Sequence, residues 1–341
     1  MTSKDKAEMK RISFRSKYHY AYVKKKWLRL LGGIFRYMLL ISLGFVILTP
    51  ILKTLKDAVT AQSAMGMKNS IWIPAEVSAQ SFLSAWHILK YSKAIWYTLL
   101  NTGVLMVLQT LCAAMAAYSF ARLKFRGSSL LFGLVIFTII VPSQSIMLAQ
   151  YISFKNFDIF NLFQFFTGKP VNLIGSTAAL YILAATGVGV KGGLYIYILR
   201  QAIRNLPVSI EEAAYVDGAG FLKTFFKIIL PGASSSLITV GVLSFVWNYA
   251  DDYFMSLLNP TDYHLPLRLM YIQRNMRWTI MDLEKLEVMP DKYVLLWDSP
   301  IVQAAVASAC ALLVILPLLI LYFFVQRRFV QGVERSGLGG E

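Results

Sequence analysis

Cysteine is nearly absent from this chain. Cys112 and Cys310 are the two in 341 residues, and both lie inside long apolar stretches, so neither a disulfide framework nor a thiolate metal site is expected. His19, His87 and His264 are too scattered to form a ligand cluster. No G-x-x-x-x-G-K-[ST] run occurs, which excludes a phosphate-binding loop of that type; if ATP drives this chain, another subunit must bind it. Acidic residues number 18 against 34 Lys and Arg, and their near absence from the apolar stretches disfavours a proton-driven secondary transporter. No His/Asp/Glu constellation or nucleophile motif supports a membrane enzyme.

What the chain has is hydrocarbon. It is 57% hydrophobic with a mean hydropathy of +0.55, more than a soluble domain of this length needs for its core. Charge-free runs extend over Tyr37–Leu52, Ala94–Ala121, Gly127–Phe154, Pro170–Val190, Ile228–Ala250 and Ser299–Gln326, most of them long enough to cross about 30 Å of hydrocarbon. The reading is an all-α membrane protein with six transmembrane helices, at about 34–53, 94–119, 128–152, 172–200, 231–254 and 301–326. Residues 1–33 form a basic arm, partly disordered or interfacial, and 331–341 a tail. Eleven Lys or Arg precede Tyr37 against Asp5 and Glu8 alone, and basic clusters recur at Arg122–Arg126, Arg200–Arg204, Lys223–Lys227 and Arg327–Arg328. By the positive-inside rule both termini face the cytoplasm. The net charge of +16 is then a topology and lipid-contact signal, and nucleic-acid binding is the weaker reading.

Between the first two spans the sequence predicts an exported linker, Lys53 to about Ser78, and an interfacial helix marked by Phe82, Trp86, Leu89 and Lys93. In the third, Pro142 followed by Ser143, Gln144 and Ser145 predicts a kink that either lines a pathway or is satisfied by neighbouring helices. The fourth carries Gly187, Gly189, Gly192 and Gly193 around Lys191, a cluster that allows close helix contact or local unwinding. A mid-membrane lysine costs roughly 2.5–3.5 kcal/mol, so Lys191 needs a cavity, a partner or a place nearer the interface. Trp247, Asn248 and Tyr249, followed by Asp251 and Asp252, suit either sugar contact or an aromatic belt; Asn248 is read as lining a pathway and Tyr253 as belt. Gln144, Lys191, Trp247, Asn248 and Tyr249 make up the candidate translocation pathway. The long exported loop from Asn259 to Pro300 is the candidate docking surface for an external partner, with Asn259, Tyr263 and Arg268 as its contacts.

The most informative run lies between the fourth and fifth spans. Ser209 and Glu212 have capping-box spacing, so a helix should begin at about Ile210 with Glu211 and Glu212 in its first turn. Ala213 and Ala214 leave little side chain to keep a partner away, and Asp217-Gly218 supplies a turn. A second, amphipathic helix should run from about Gly220 through Phe221, Phe225, Ile228 and Ile229 to Leu230-Pro231. The product is a bent helical knob at the inner surface. On composition alone the same loop suits an amphipathic helix lying on lipid headgroups.

With its full spacing, Glu212-Ala213-Ala214, Gly218 and Ile228-Ile229-Leu230-Pro231 resembles the EAA motif of permease subunits of ATP-binding-cassette (ABC) importers. Other runs resemble the maltose-type sugar permeases, in particular the smaller permease subunit: Asn101-Thr102, Ala116 to Arg122 with Phe125-Arg126-Gly127, Trp247-Asn248, and Gln326-Arg327-Arg328-Phe329-Val330-Gln331-Gly332. The resemblance covers about residues 30–335. It implies a type I ABC importer transmembrane domain over 34–330 with a cytoplasmic coupling helix, in a bacterial inner membrane. It also implies that the chain is a non-catalytic subunit, paired with a second permease, two ATPase subunits that bind ATP and Mg, and an extracytoplasmic sugar-binding protein. Glu211, Glu212, Ala213, Ala214, Asp217, Gly218, Leu230 and Pro231 would couple to the ATPase. A polyol or glycerol phosphate is the rival solute. The chain departs from the family pattern between Leu269 and Pro300, where it is longer and carries Asp282, Glu284, Lys285 and Glu287.

Overall fold

The computed structural model describes residues 3–61, 64, 72–260, 263–277 and 299–337. The described residues are helical throughout apart from turns and two isolated bridges, Thr60 to Val77 and Phe157 to Val171. Lys68, Asp282, Glu284, Lys285 and Glu287, and with them most of the extended loop, lie outside the described residues.

Helix α1 (Ser3–Val59) draws the expected N-terminal arm and first span into one element. The reason is local: no Gly or Pro occurs between Ser3 and Leu31 to interrupt it. Its apolar side chains, from Leu28 to Leu55, are exposed on every face, as expected of a helix surrounded by lipid or partner subunits. Helix α2 (Gln80–Ile88) stands where an interfacial helix was expected, but Ser81, Ala85 and Ile88 are buried against the C-terminal helix. Lys93 belongs to the next element, because Lys90 in a left-handed conformation separates the two.

Helix α3 (Tyr91–Arg122) is the central strut of the bundle. Near its N-terminal end Tyr91 and Ala94 join one apolar cluster with α2 and the C-terminal helix α15 (Pro300–Gly337). Near its C-terminal end Ala113, Ala114, Ala117 and Tyr118 form a second cluster with Tyr195, Leu199 and Ile203.

The expected third, fourth and fifth spans are each in pieces. Helix α4 (Ser128–Ile140) stops because Val141, preceding Pro142, is held extended. A 3-10 turn over Ser143–Ile146 then leads into α5 (Met147–Lys155). A short helix α6 (Leu162–Thr167) follows, its first turn bonded to the carboxylate of Asp158 at 2.8 and 3.1 Å.

The fourth span divides into α7 (Thr177–Ala185) and α8 (Gly192–Arg204). Gly187, at φ +77°, gives α7 a Schellman ending: Val188 N–H reaches Leu183 O at 3.0 Å and Gly187 N–H reaches Ala184 O at 3.3 Å. The glycine cluster therefore ends one helix and starts another, with Lys191 itself left-handed at φ 57°.

Helices α9 (Val208–Val216), α10 (Phe221–Thr224) and α11 (Leu230–Gly232) form the knob, with a π-helical turn over Phe225–Ile229. It meets α12 (Ser234–Tyr249) at an 82° bend. The chain continues through α13 (Tyr253–Leu258) and α14 (Leu265–Met270) to α15. Among the described residues three segments are single helices long and apolar enough to cross a membrane, Lys25–Val59, Tyr91–Arg122 and Pro300–Gln326, with the bent pair a fourth. The six-span expectation thus exceeds what unbroken helices supply. The tail expected at 331–341 continues α15 as far as Gly337.

Candidate functional site

The first helix of the knob begins two residues earlier than its capping box suggested. Pro207, not Ser209, stands at the N-cap of α9, and no side chain caps the helix. Proline's fixed φ suits that entry, and its missing N–H leaves no orphan donor. The other end matches the expected turn: Gly218 sits at φ +74°, with Ala219 N–H on Ala214 O at 2.9 Å and Gly218 N–H on Tyr215 O at 3.0 Å. This is again a Schellman closure, and it reverses the chain into α10.

The two acids of the first turn part company. Glu212, Ala213, Asp217 and Gly218 are exposed, as is Pro231, whereas Ala214 is buried and Leu230 half-buried. Glu211 is turned inward, with 4% of its surface exposed. Its carboxylate pairs with Arg122 Nε and accepts from Tyr118 Oη at 3.3 Å. Glu211, expected to couple to the ATPase together with Glu212, thus faces the body of the bundle, because helical periodicity puts adjacent residues about 100° apart. Ala214 faces it too.

Arg122 also donates from Nη2 to Leu206 O at 2.7 Å. Tyr118 approaches Tyr215 Oη at 3.3 Å and lies under the rings of Phe221 and Phe225, at 5.0 and 5.4 Å between centroids. Removing one member of a buried ion pair typically costs about 3–5 kcal/mol, so the inner face of the knob is firmly seated on α3. Arg122 and Tyr118 fall in a run quoted above for its resemblance, but no local pattern announces that they meet Glu211, which is distant in sequence.

Deeper in the bundle is a polar layer. Gln109 on α3 accepts from Ser244 Oγ and Asn248 Nδ2, each at 2.7 Å, and donates to Val190 O at 3.4 Å. At 1.5 Å per residue this layer lies about 20 Å from the C-terminal end of α3. Asn248, expected to line a pathway, is 3% exposed and has its amide engaged in this layer. Tyr249 is 1% exposed and donates to Val314 O at 2.7 Å, binding α12 to α15. Trp247 and Lys191 do face outward, with the lysine Nζ 5.0 Å from the indole centre. Gln144 lies in the 3-10 turn, and its side chain is outside the described residues. Gln109 was missed, although an amide in the middle of a long apolar span is itself a signal.

The candidate docking residues also turn inward. Asn259 is 2% and Arg268 4% exposed. Asn259 Nδ2 reaches Tyr97 Oη at 2.8 Å, and Arg268 Nη2 reaches Ile88 O at 2.7 Å. Tyr263 is half-buried, its carbonyl accepts from Thr98 Oγ1 at 3.4 Å, and its ring lies 4.2 Å from Lys93 Nζ. These three fasten the loop to the end of α2 and the start of α3. Among the described residues no group of His, Cys, Asp and Glu could hold a metal ion.

Comparison with known proteins converges on one family. Residues 109–335 match the model described as binding-protein-dependent transport system inner membrane component. The chain is 26% identical over 319 residues to the maltodextrin transport system permease protein MdxG of Bacillus subtilis (strain 168), covering 92% of this chain and 98% of that one. It is 24% identical over 311 residues to the probable starch degradation products transport system permease protein AmyC of Thermoanaerobacterium thermosulfurigenes, covering 91% and 95%. A bacterial ABC transporter involved in import of the acidic polysaccharide alginate shares the fold at a TM-score of 0.60 and 19% identity, over 88% of this chain and 96% of that chain. The chain therefore belongs to the family of binding-protein-dependent transport system inner membrane components, the membrane-embedded, non-catalytic permease subunits of ABC transporters.

Proposed function

We propose that this chain is one permease of an ATP-driven importer for a sugar or oligosaccharide, and that it forms half of the translocation path. The observation that carries the reading is the knob itself: a short helix presenting Glu212, Ala213 and Asp217 outward, closed by Gly218 and seated through Glu211 on α3. A headgroup helix turns its apolar face to lipid; here Phe225 and Ile229 face the bundle core, and the exposed side mixes Glu212 and Asp217 with Val216, Leu222, Lys223 and Phe226, a surface that suits a protein groove.

In this reading the partners are a second permease, two ATPase subunits that bind ATP and Mg, and an extracytoplasmic solute-binding protein. The chain crosses the bacterial cell membrane six times with both termini inside, α4–α5 and α7–α8 each counting as one interrupted crossing. ATPase closure displaces the knob, and α8 and α12, joined to it by the chain, move with it between inward-open and outward-open states. The sugar assignment is supported by the maltodextrin and starch-product permeases among the relatives. An anionic solute such as glycerol phosphate is the second reading, favoured by the exposed Lys191 beside Trp247.

A photo-crosslinking side chain at Val216, 87% exposed on the knob, is expected to capture an ATPase subunit in intact membranes. The same group at Phe160, 94% exposed beyond α5, should capture none. Capture of lipid alone at Val216 would return the knob to the headgroup reading.

A further inference from the structure

The knob is joined by the chain to α8 before it and α12 after it, but α3 has no covalent link to it. Tyr118 packs on Phe221 and Phe225, and the charged contact from α3 to the knob is made by Arg122. Its Nε pairs with Glu211 on α9, its Nη2 holds Leu206 O on the segment leading into α9, and Tyr118, one turn away, adds its hydroxyl to the same carboxylate at 3.3 Å. The pair is buried, with 12% and 6% of the two side chains exposed. Lys56 pairs with its neighbour Asp57 inside α1, whereas Arg122–Glu211 joins two elements.

At its middle α3 carries Gln109, bonded to α12 through Ser244 and Asn248 and to the break between α7 and α8 through Val190 O. If the knob carried α8 and α12 while α3 stayed behind, these bonds would have to break inside the membrane. We propose that Arg122 is a positioning residue for transport: with Glu211 and Tyr118 it pins α3 to the knob, so that α3, α8 and α12 move as one body and the polar layer around Gln109 is carried intact. The proposal rests on the importer reading above. It adds a third helix to the moving unit and names the contact that recruits it. A separated buried ion pair finds no water to compensate it, and that makes the contact stiff. The guanidinium can hold a carboxylate and a carbonyl at once because its donors point in fixed, divergent directions.

The test uses the full importer in proteoliposomes, with Cys112 and Cys310 replaced by serine and spin labels on Met115→Cys in α3 and Lys223→Cys in the knob. In the otherwise wild-type chain the distance distribution between labels should be the same without nucleotide and with ATP trapped by vanadate. With Glu211→Gln it should broaden and shift on trapping, and solute taken up per ATP hydrolysed should fall about ten-fold, within the range of coupling effects. If that variant fails to assemble, Arg122→Lys, which keeps the charge but cannot hold both partners, should change both readouts in the same direction by less. Uptake per ATP within two-fold of wild type in either assembled variant would overturn the pin. So would a loss of uptake with the label distance unchanged, because the pair would then act elsewhere. Wild-type vesicles showing no ATP-dependent uptake would remove the functional reading and the proposal together.

Discussion

A β-carbon at Gly192 would stand 2.1 Å from the carbonyl oxygen of Gly187, a backbone atom that cannot swing aside. Gly192→Ala should therefore destabilise the folded protein by about 2 kcal/mol through overpacking. Gly103→Ala is the control, with nothing within 4 Å of the added carbon. Apparent melting midpoints in detergent check the pair: a clear drop for Gly192→Ala and little change for Gly103→Ala are expected. Equal midpoints would mean that the break at 186–191 adjusts freely. His264, between the fifth and sixth expected spans, gives a second residue-scale test. Neither of its ring nitrogens has a hydrogen-bond partner, and burial pushes its imidazole down to about 4. Between pH 6.5 and 4 the unfolded chain binds a proton that the folded chain does not, so stability falls as pH drops, by up to about 1.4 kcal/mol per pH unit. His264→Leu should flatten that dependence between pH 7 and 5; an unchanged slope would assign it to other groups. Residue identity alone separated none of the inward from the outward positions in the first turn of α9. Glu211 and Glu212 are chemically the same, and which one meets Arg122 is decided by helix phase and by a contact distant in sequence.

At the scale of elements, some helix ends set by a glycine or proline were legible, though the start of α9 at Pro207 was not. Gly218 closes α9 through its positive φ, and Pro142 ends α4 by constraining Val141. The arrangement of the fourth span was half legible: the glycines announced unwinding, but the Schellman closure at Gly187, which makes it two helices, depends on φ angles that composition does not fix. The burial of the loop residues Asn259 and Arg268 was not legible for a related reason. A polar residue in an exported loop looks like a binding contact until the carbonyl or hydroxyl that satisfies it is known, here Ile88 O and Tyr97 Oη. This gives an element-scale expectation. Arg268→Ala should loosen α14 from α2, leave the Ile88 carbonyl without this donor, and lower the melting midpoint even without any binding protein present. An effect confined to binding-protein-stimulated hydrolysis would restore the docking role.

For the whole molecule, the class was legible from hydropathy, and the family from the spacing of Glu212-Ala213-Ala214, Gly218 and Leu230-Pro231. The number of crossings was less so, since interrupted helices fall short of the length at which a single span declares itself. Topology is checked with cysteines in a chain lacking Cys112 and Cys310: one at Asn156 should react with an impermeant thiol reagent from outside, and one at Lys223 should not. The most direct test of the central claim, that a solute is moved by ATP hydrolysis coupled through the knob, is uptake by membranes carrying Gly218→Val or Glu212→Lys. Gly218 has φ +74° with nothing within 4 Å of an added β-carbon, so its substitution strains the turn without a clash, and Glu212 is exposed; both variants should insert normally. The account predicts loss of ATP-dependent uptake of the solute delivered by the binding protein, with the chain present at wild-type levels. Wild-type uptake by both variants would contradict it.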